Sequence, residues 1–217
     1  MKKDFYYELP DGYRADKTVD AKNKKIGILM NIAAIIIMIV VYILTDFIAC
    51  GRLTVTDVFR DLSEDEDFAG WYLGSVLLPL IIFLAASFVY LVLHELTHGV
   101  AYKLLTGEKL TFGITWSAAY CGVPNLYVGK RTALIALLSP FILFSAIFIC
   151  AITFTGETMT GFLLKLLFAE HFGGCVGDLY DTFLLTFKYR KGCLMNDDGP
   201  KQVFYVYEEN DLEKQAV

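Results

Sequence analysis

Apolar residues in this chain are gathered into long blocks, and the blocks set the elements. Residues 26–45, "IGILMNIAAIIIMIVVYILT", carry no charge, and about 20 such residues suffice to span the hydrocarbon core of a bilayer. Residues 68–93 are again uncharged and run on into the polar cluster "HELTH", and residues 132–156 form a third uncharged block. A fourth, "GFLLKLLFAEHFGGCVGDLYDTFLLTF" over 161–187, is apolar but interrupted by Lys165, Glu170, His171, Asp178 and Asp181. By hydropathy alone it is marginal. The pattern changes at 110–117, "LTFGITWS", where Leu110, Phe112, Ile114 and Trp116 alternate with small or polar residues, the period of a half-buried strand. That strand is expected to pair with part of the following "AAYCGVPNLYV" as a hairpin, or to hold an extended peptide along its edge.

The expected fold class is an all-α membrane protein: four transmembrane helices, at about 26–48, 70–105, 132–154 and 161–187, with a small cytoplasmic β-hairpin after the second. A polar N-terminal segment, 1–25, precedes the membrane domain at 26–188, and a polar tail, 189–217, follows it. The first segment reads as cytoplasmic and not as a cleavable signal, whose apolar region would lie nearer the start.

Composition supports the membrane reading. Of 217 residues 56% are hydrophobic and 20% charged, with a mean hydropathy of +0.51, more apolar than an ordinary soluble domain. Orientation follows from the basic residues. Lys2, Lys3, Arg14, Lys17, Lys22, Lys24 and Lys25 precede the first block, Lys103, Lys109, Lys130 and Arg131 separate the second from the third, and Lys188, Arg190 and Lys191 follow the fourth. Such segments stay in the cytoplasm. The first connection, 51–70, holds two Arg against six acids and belongs outside. Four crossings satisfy every connection and leave both termini cytoplasmic in a multi-pass protein of the cell membrane. The five cysteines, at irregular spacings, indicate neither a disulfide framework nor a thiolate metal cluster. No nucleic-acid partner is expected, and the sequence leaves the oligomeric state open.

His94, Glu95 and His98 bring in the chemistry. Two imidazoles and a carboxylate are costly among Leu, Val and Tyr unless paired, hydrogen-bonded or bound to a metal. On a helix His94 and His98, at i and i+4, share a face, and with Glu95 they make the H-E-x-x-H pattern in which two His bind Zn2+ and the Glu is the general base of a metallohydrolase. The chain has three His in all, so two at ligand spacing is a pointed use of them. A catalytic zinc takes a third protein ligand. The candidates are Asp178, His171 and Asp181, each also able to act as an outer hydrogen-bond partner or to pair with Lys165. Asp178 is preferred, because Gly173, Gly174 and Gly177 before it let its helix approach a neighbour closely. Helix rise also places it, about 26 Å in from Gly161, near the level of His94, about 35 Å in from Trp71.

"HELTHG" on a membrane helix, "AYC", the apolar span with Ser139 and Pro140, the late "GGCVGDLYD" and the early "ELPDGY" together resemble a family of small bacterial zincin membrane peptidases. That family is itself similar to the site-2 group of intramembrane metalloproteases. The likeness implies zinc held by His94, His98 and Asp178 and catalysis by Glu95. Where site-2 proteases carry Leu-Asp-Gly, this chain reads Gly177-Asp178-Leu179. The expected activity is hydrolysis of peptide bonds, in a membrane protein or membrane-proximal peptide, near the cytoplasmic face of the bilayer. Two other classes stay open, a non-catalytic membrane scaffold of the same fold and a metal-handling transporter. Glu95 speaks against the first, since zinc binding alone does not need it, and the sparse polar lining of the first three spans, Asn31 excepted, speaks against the second.

Overall fold

The computed structural model describes residues 4–55, 57, 72–116, 119–190 and 192–208. Helices α1 (Lys24–Cys50), α2 (Leu78–Thr106) and α3 (Lys130–Thr155) occupy the charge-free blocks. Among the described residues these are the three helices long and apolar enough to cross a membrane. In hydrocarbon each backbone N–H and C=O must find its partner within the segment, which a helix provides. Side chains such as Ile28, Leu29, Ile35, Ile36, Ile39 and Ile48 on α1 stay exposed, an apolar surface that water would penalise and lipid does not. Most of the predicted outer connection, including 58–71, lies outside the described residues.

The fourth predicted span, 161–187, is not one long helix. It is divided into α4 (Met159–Gly174), a turn at Cys175, α5 (Val176–Phe183) and a π-helical turn over Leu184–Lys188. Gly173, Gly174 and Gly177 surround the break, and each weakens a helix interior by about 1 kcal/mol relative to Ala. Of the three, Gly173 serves a close approach: a Cβ there would lie 2.5 Å from Met38 Cγ and 3.0 Å from the Ala34 carbonyl on α1. A Cβ on Gly177 would meet nothing within 4 Å, so the glycine argument that favoured Asp178 holds for one position only.

The chain is also not all-α. After α2, β3 (Thr111–Ile114) pairs antiparallel with β4 (Ala119–Gly122), the turn residues 117 and 118 lying outside the described set. A second, five-stranded antiparallel sheet was not expected. It joins β1 (Phe5–Tyr6), β2 (Tyr13–Asp20), β5 (Tyr127–Gly129), β6 (Leu194–Asp197) and β7 (Lys201–Tyr207) in the order β1-β5-β6-β7-β2. The polar segments at both ends thus supply strands to one sheet.

The chain divides into two compact units. The first holds Met1–Ile32, Leu93–Pro140 and Val176–Val217. Its core packs Tyr102, Val123, Leu126, Val128, Leu185, Met195 and Phe204 from helices and sheet together. Asp4 closes the start of α3, its carboxylate accepting from Thr132 N at 3.1 Å and Thr132 Oγ1 at 3.2 Å while its carbonyl accepts from Gly129 N at 2.7 Å. A carboxylate there also meets the positive end of the helix dipole, and Gly129 leaves the room, since a Cβ would stand 1.9 Å from Asp4 Oδ1. The register of β2 and β7 shifts between Ala15 and Lys17. Asp16, in that bulge, accepts from Lys188 and Tyr189, and the Lys188 ammonium holds its carboxyl below the usual carboxylate range.

The second unit, Ala33–Val92 with Phe141–Cys175, packs an aromatic core of Tyr90, Phe144, Phe148 and Phe168. Lys165 and Asp46 form a fully buried ion pair, with Thr54 donating to Asp46 through its N–H at 2.6 Å and its hydroxyl at 2.8 Å. Lys165 is therefore spoken for by Asp46.

Candidate metal centre

The triangle at the heart of the first unit is built by two helices. His94 and His98 follow one another on the same face of α2, both buried, with their Nε2 atoms 3.2 Å apart. Asp178 stands in the first turn of α5, and its Oδ2 lies 3.3 Å from His94 Nε2 and 3.3 Å from His98 Nε2. Zinc bonds of about 2.0–2.1 Å in a tetrahedron hold ligand atoms roughly 3.3–3.4 Å apart. Three donor atoms at 3.2, 3.3 and 3.3 Å therefore have the spacing of three corners of such a site. The Asp178 side chain is 19% exposed against 7% and 8% for the two histidines, so the group opens on the carboxylate side. The donor set, two imidazoles and one carboxylate, suits zinc and leaves the fourth corner for water or substrate.

Hydrogen bonds outside the triangle orient it. His98 Nδ1–H donates to the Ala136 carbonyl on α3 at 2.9 Å, so the lone pair of the neutral ring sits on Nε2. One turn further along α2, buried Tyr102 donates its hydroxyl to Asp197 Oδ2 on β6 at 2.7 Å, tying the face that bears His94 and His98 to the sheet. Burial pushes the Asp197 carboxyl up to about 6, while the Tyr102 hydroxyl and the Gly199 N–H act in the other direction. Asp197, Tyr102 and the Ala136 carbonyl all escaped the sequence reading. Tyr102 had a signal in its i+4 spacing from His98. Asp197, in a polar tail, had none.

Glu95 is half-buried and, next to His94, points about 100° away from it around the helix. It stands beside the triangle and not in it. Asp181 is buried one turn along α5, with Oδ1 lacking a hydrogen-bond partner among the described residues. His171 belongs to the second unit, fully buried among Phe141, Phe144, Phe148, Phe168 and Phe172. There Tyr90 Oη lies 2.8 Å from its Nδ1 and Ser145 Oγ 3.0 Å from its Nε2. Cys121 and Cys193 offer no thiolate, because burial pushes both thiols up to about 12.

Two histidines from α2 and one carboxylate from α5 make a group of the kind that could hold a metal ion. Residues 87–194, a segment that contains His94, Glu95, His98 and Asp178, match the model of the family described as "Putative zincin peptidase". No curated protein and no solved structure matches the chain.

Proposed function

We propose that the protein is a zinc-dependent, membrane-embedded metalloprotease, which hydrolyses peptide bonds of a membrane protein or membrane-proximal peptide near the cytoplasmic face. The observation that carries this is the triangle of His94 Nε2, His98 Nε2 and Asp178 Oδ2, with edges of 3.2, 3.3 and 3.3 Å, beside a glutamate at the H-E-x-x-H offset. His94, His98 and Asp178 hold the ion. A bound zinc supplies Lewis acidity toward a carbonyl and brings water within reach of deprotonation at neutral pH. Glu95 takes the proton of the attacking water and delivers it to the departing amine, so one peptide bond and one water give a carboxyl and an amine without a covalent intermediate. A helical peptide has its carbonyls engaged, so the substrate enters extended.

Four crossings of the cell membrane, with both termini in the cytoplasm, go with this reading. Strands from before α1, from between α2 and α3, and from after α5 share one sheet, and so share one side of the bilayer. If α1, α2 and α3 each cross, α3 carries the chain away from β5, and it must cross again before β6. The segment with α4 and α5 makes that return, and Lys22, Lys24, Lys25, Lys130, Arg131, Lys188 and Arg190 put the shared side in the cytoplasm. A reporter fused after Val217 and a cysteine label near Lys130 are both expected to read cytoplasmic, and a label at Glu64 external. A C-terminus found outside would end the four-crossing scheme.

Metal analysis of the full chain, purified in mild detergent, tests the function: one zinc per chain is expected, lost in His94→Ala and in His98→Ala. A preparation without stoichiometric zinc that also takes up none on reconstitution would remove the metalloprotease reading.

A further inference from the structure

Pro140 lies inside α3 and is fully buried. In an α-helix the carbonyl of residue i accepts from the N–H of residue i+4, so the donor owed to the Ala136 carbonyl is residue 140. Proline has no N–H, and its ring presses against that same carbonyl. In apolar surroundings a carbonyl so released must find another donor. It finds His98, whose Nδ1–H reaches it at 2.9 Å. Ala136 and His98 are both buried, at 0% and 6% exposure, so water does not compete for either group.

We propose that Pro140 is a positioning residue for the metal site: by withholding its N–H it frees the Ala136 carbonyl to hold His98 Nδ1–H, which fixes the ring and leaves the Nε2 lone pair facing His94 and Asp178. His171 shows that the assignment is specific to His98 and not a property of buried imidazoles here. Its Nε2 lies 3.3 Å from the Phe141 carbonyl, which can only accept, so Nε2 carries the proton and Nδ1 accepts from Tyr90. The two rings hold opposite tautomers, each set by a carbonyl of α3. Ser139 does not substitute for the missing donor, since its hydroxyl bonds the Ile135 carbonyl one residue earlier.

The metal part of the proposal rests on the zinc reading above, but the tautomer part does not, and the experiment separates them. Nitrogen NMR of histidine-labelled, zinc-free full chain in detergent should show His98, identified by the signal lost in His98→Gln, with its Nδ1 protonated whether or not Nε2 also carries a proton toward Asp178, and His171 as Nε2–H. Pro140→Ala supplies the N–H that draws the Ala136 carbonyl back into its helix. It should convert the His98 signal to mixed tautomers, leave His171 unchanged, and weaken zinc about 10- to 100-fold in competition with a chromophoric chelator, the loss typical of an outer hydrogen-bond partner. Pro140→Gly supplies the same N–H without a side chain and should behave alike, which keeps the test open if Ala packs poorly. An unchanged His98 tautomer in both variants overturns the proposal, even if zinc weakens, because only packing would then have been disturbed. A changed tautomer with parental zinc affinity overturns the link to the metal. A parent that binds no zinc at all ends the functional reading and leaves the tautomer comparison to decide the role of Pro140.

Discussion

Glu95→Gln is expected to retain one zinc per chain and to lose peptide cleavage by about 10²- to 10⁴-fold, the contribution of a positioned general base. The amide has nearly the shape of the carboxylate but no capacity to take a proton at neutral pH. Because Glu95 stands beside the His94–His98–Asp178 group and not within it, the substitution removes none of that group's three donor atoms. Metal content and turnover of a co-expressed membrane substrate, measured on the same preparations, separate the two effects. Equal turnover by variant and parent would take Glu95 out of the mechanism. Loss of zinc along with activity would make it a ligand.

The second large effect belongs to Asp178. Asp178→Ala removes the one anion at 3.3 Å from both histidine Nε2 atoms, leaving a dication held by two neutral rings in a largely buried place where charge compensation counts most. Zinc affinity should fall further than the 10- to 100-fold cost of an outer partner, and the purified variant should come off the column without stoichiometric metal. His171→Ala is the matched control, since His171 sits in its own aromatic cage with Tyr90 and Ser145 as partners. It should keep its zinc. If His171→Ala empties the site while Asp178→Ala leaves it full, the third ligand is the imidazole.

The residues explain why some of this was legible and some was not. Helices α1, α2 and α3 announce themselves because a run without charge has one stable form in a bilayer, and His94 and His98 do so because spacing on a helix fixes which side chains meet. The segment over 161–187 was harder: Gly173, Gly174 and Gly177 surround a break that divides it into pieces too short for a periodicity argument. The sheet was invisible for two reasons. β1, β5 and β6 have two, three and four residues, fewer than alternation needs to stand out, and the pairings of β1 with β5 and of β5 with β6 join segments far apart in the chain, Phe5 with Val128 and Tyr127 with Asn196. Asp178 could be named from its chemistry, whereas the Ala136 carbonyl could not, because a backbone oxygen has no letter in the sequence. Pro140 was its only trace.

The sheet also sets an order in time. On a ribosome the N-terminal strands emerge first, but β1 waits for residues 127–129, and β2 waits for residues 201–207. The Asp197 that anchors Tyr102 lies on β6, itself among the last strands made. Until residue 178 has been made, the helix face bearing His94 and His98 lacks its carboxylate partner, and until residue 197 has been made it lacks its anchor. On the zinc-peptidase proposal, a chain that ends before residue 197 is expected to be inactive even when it already carries His94, Glu95, His98 and Asp178.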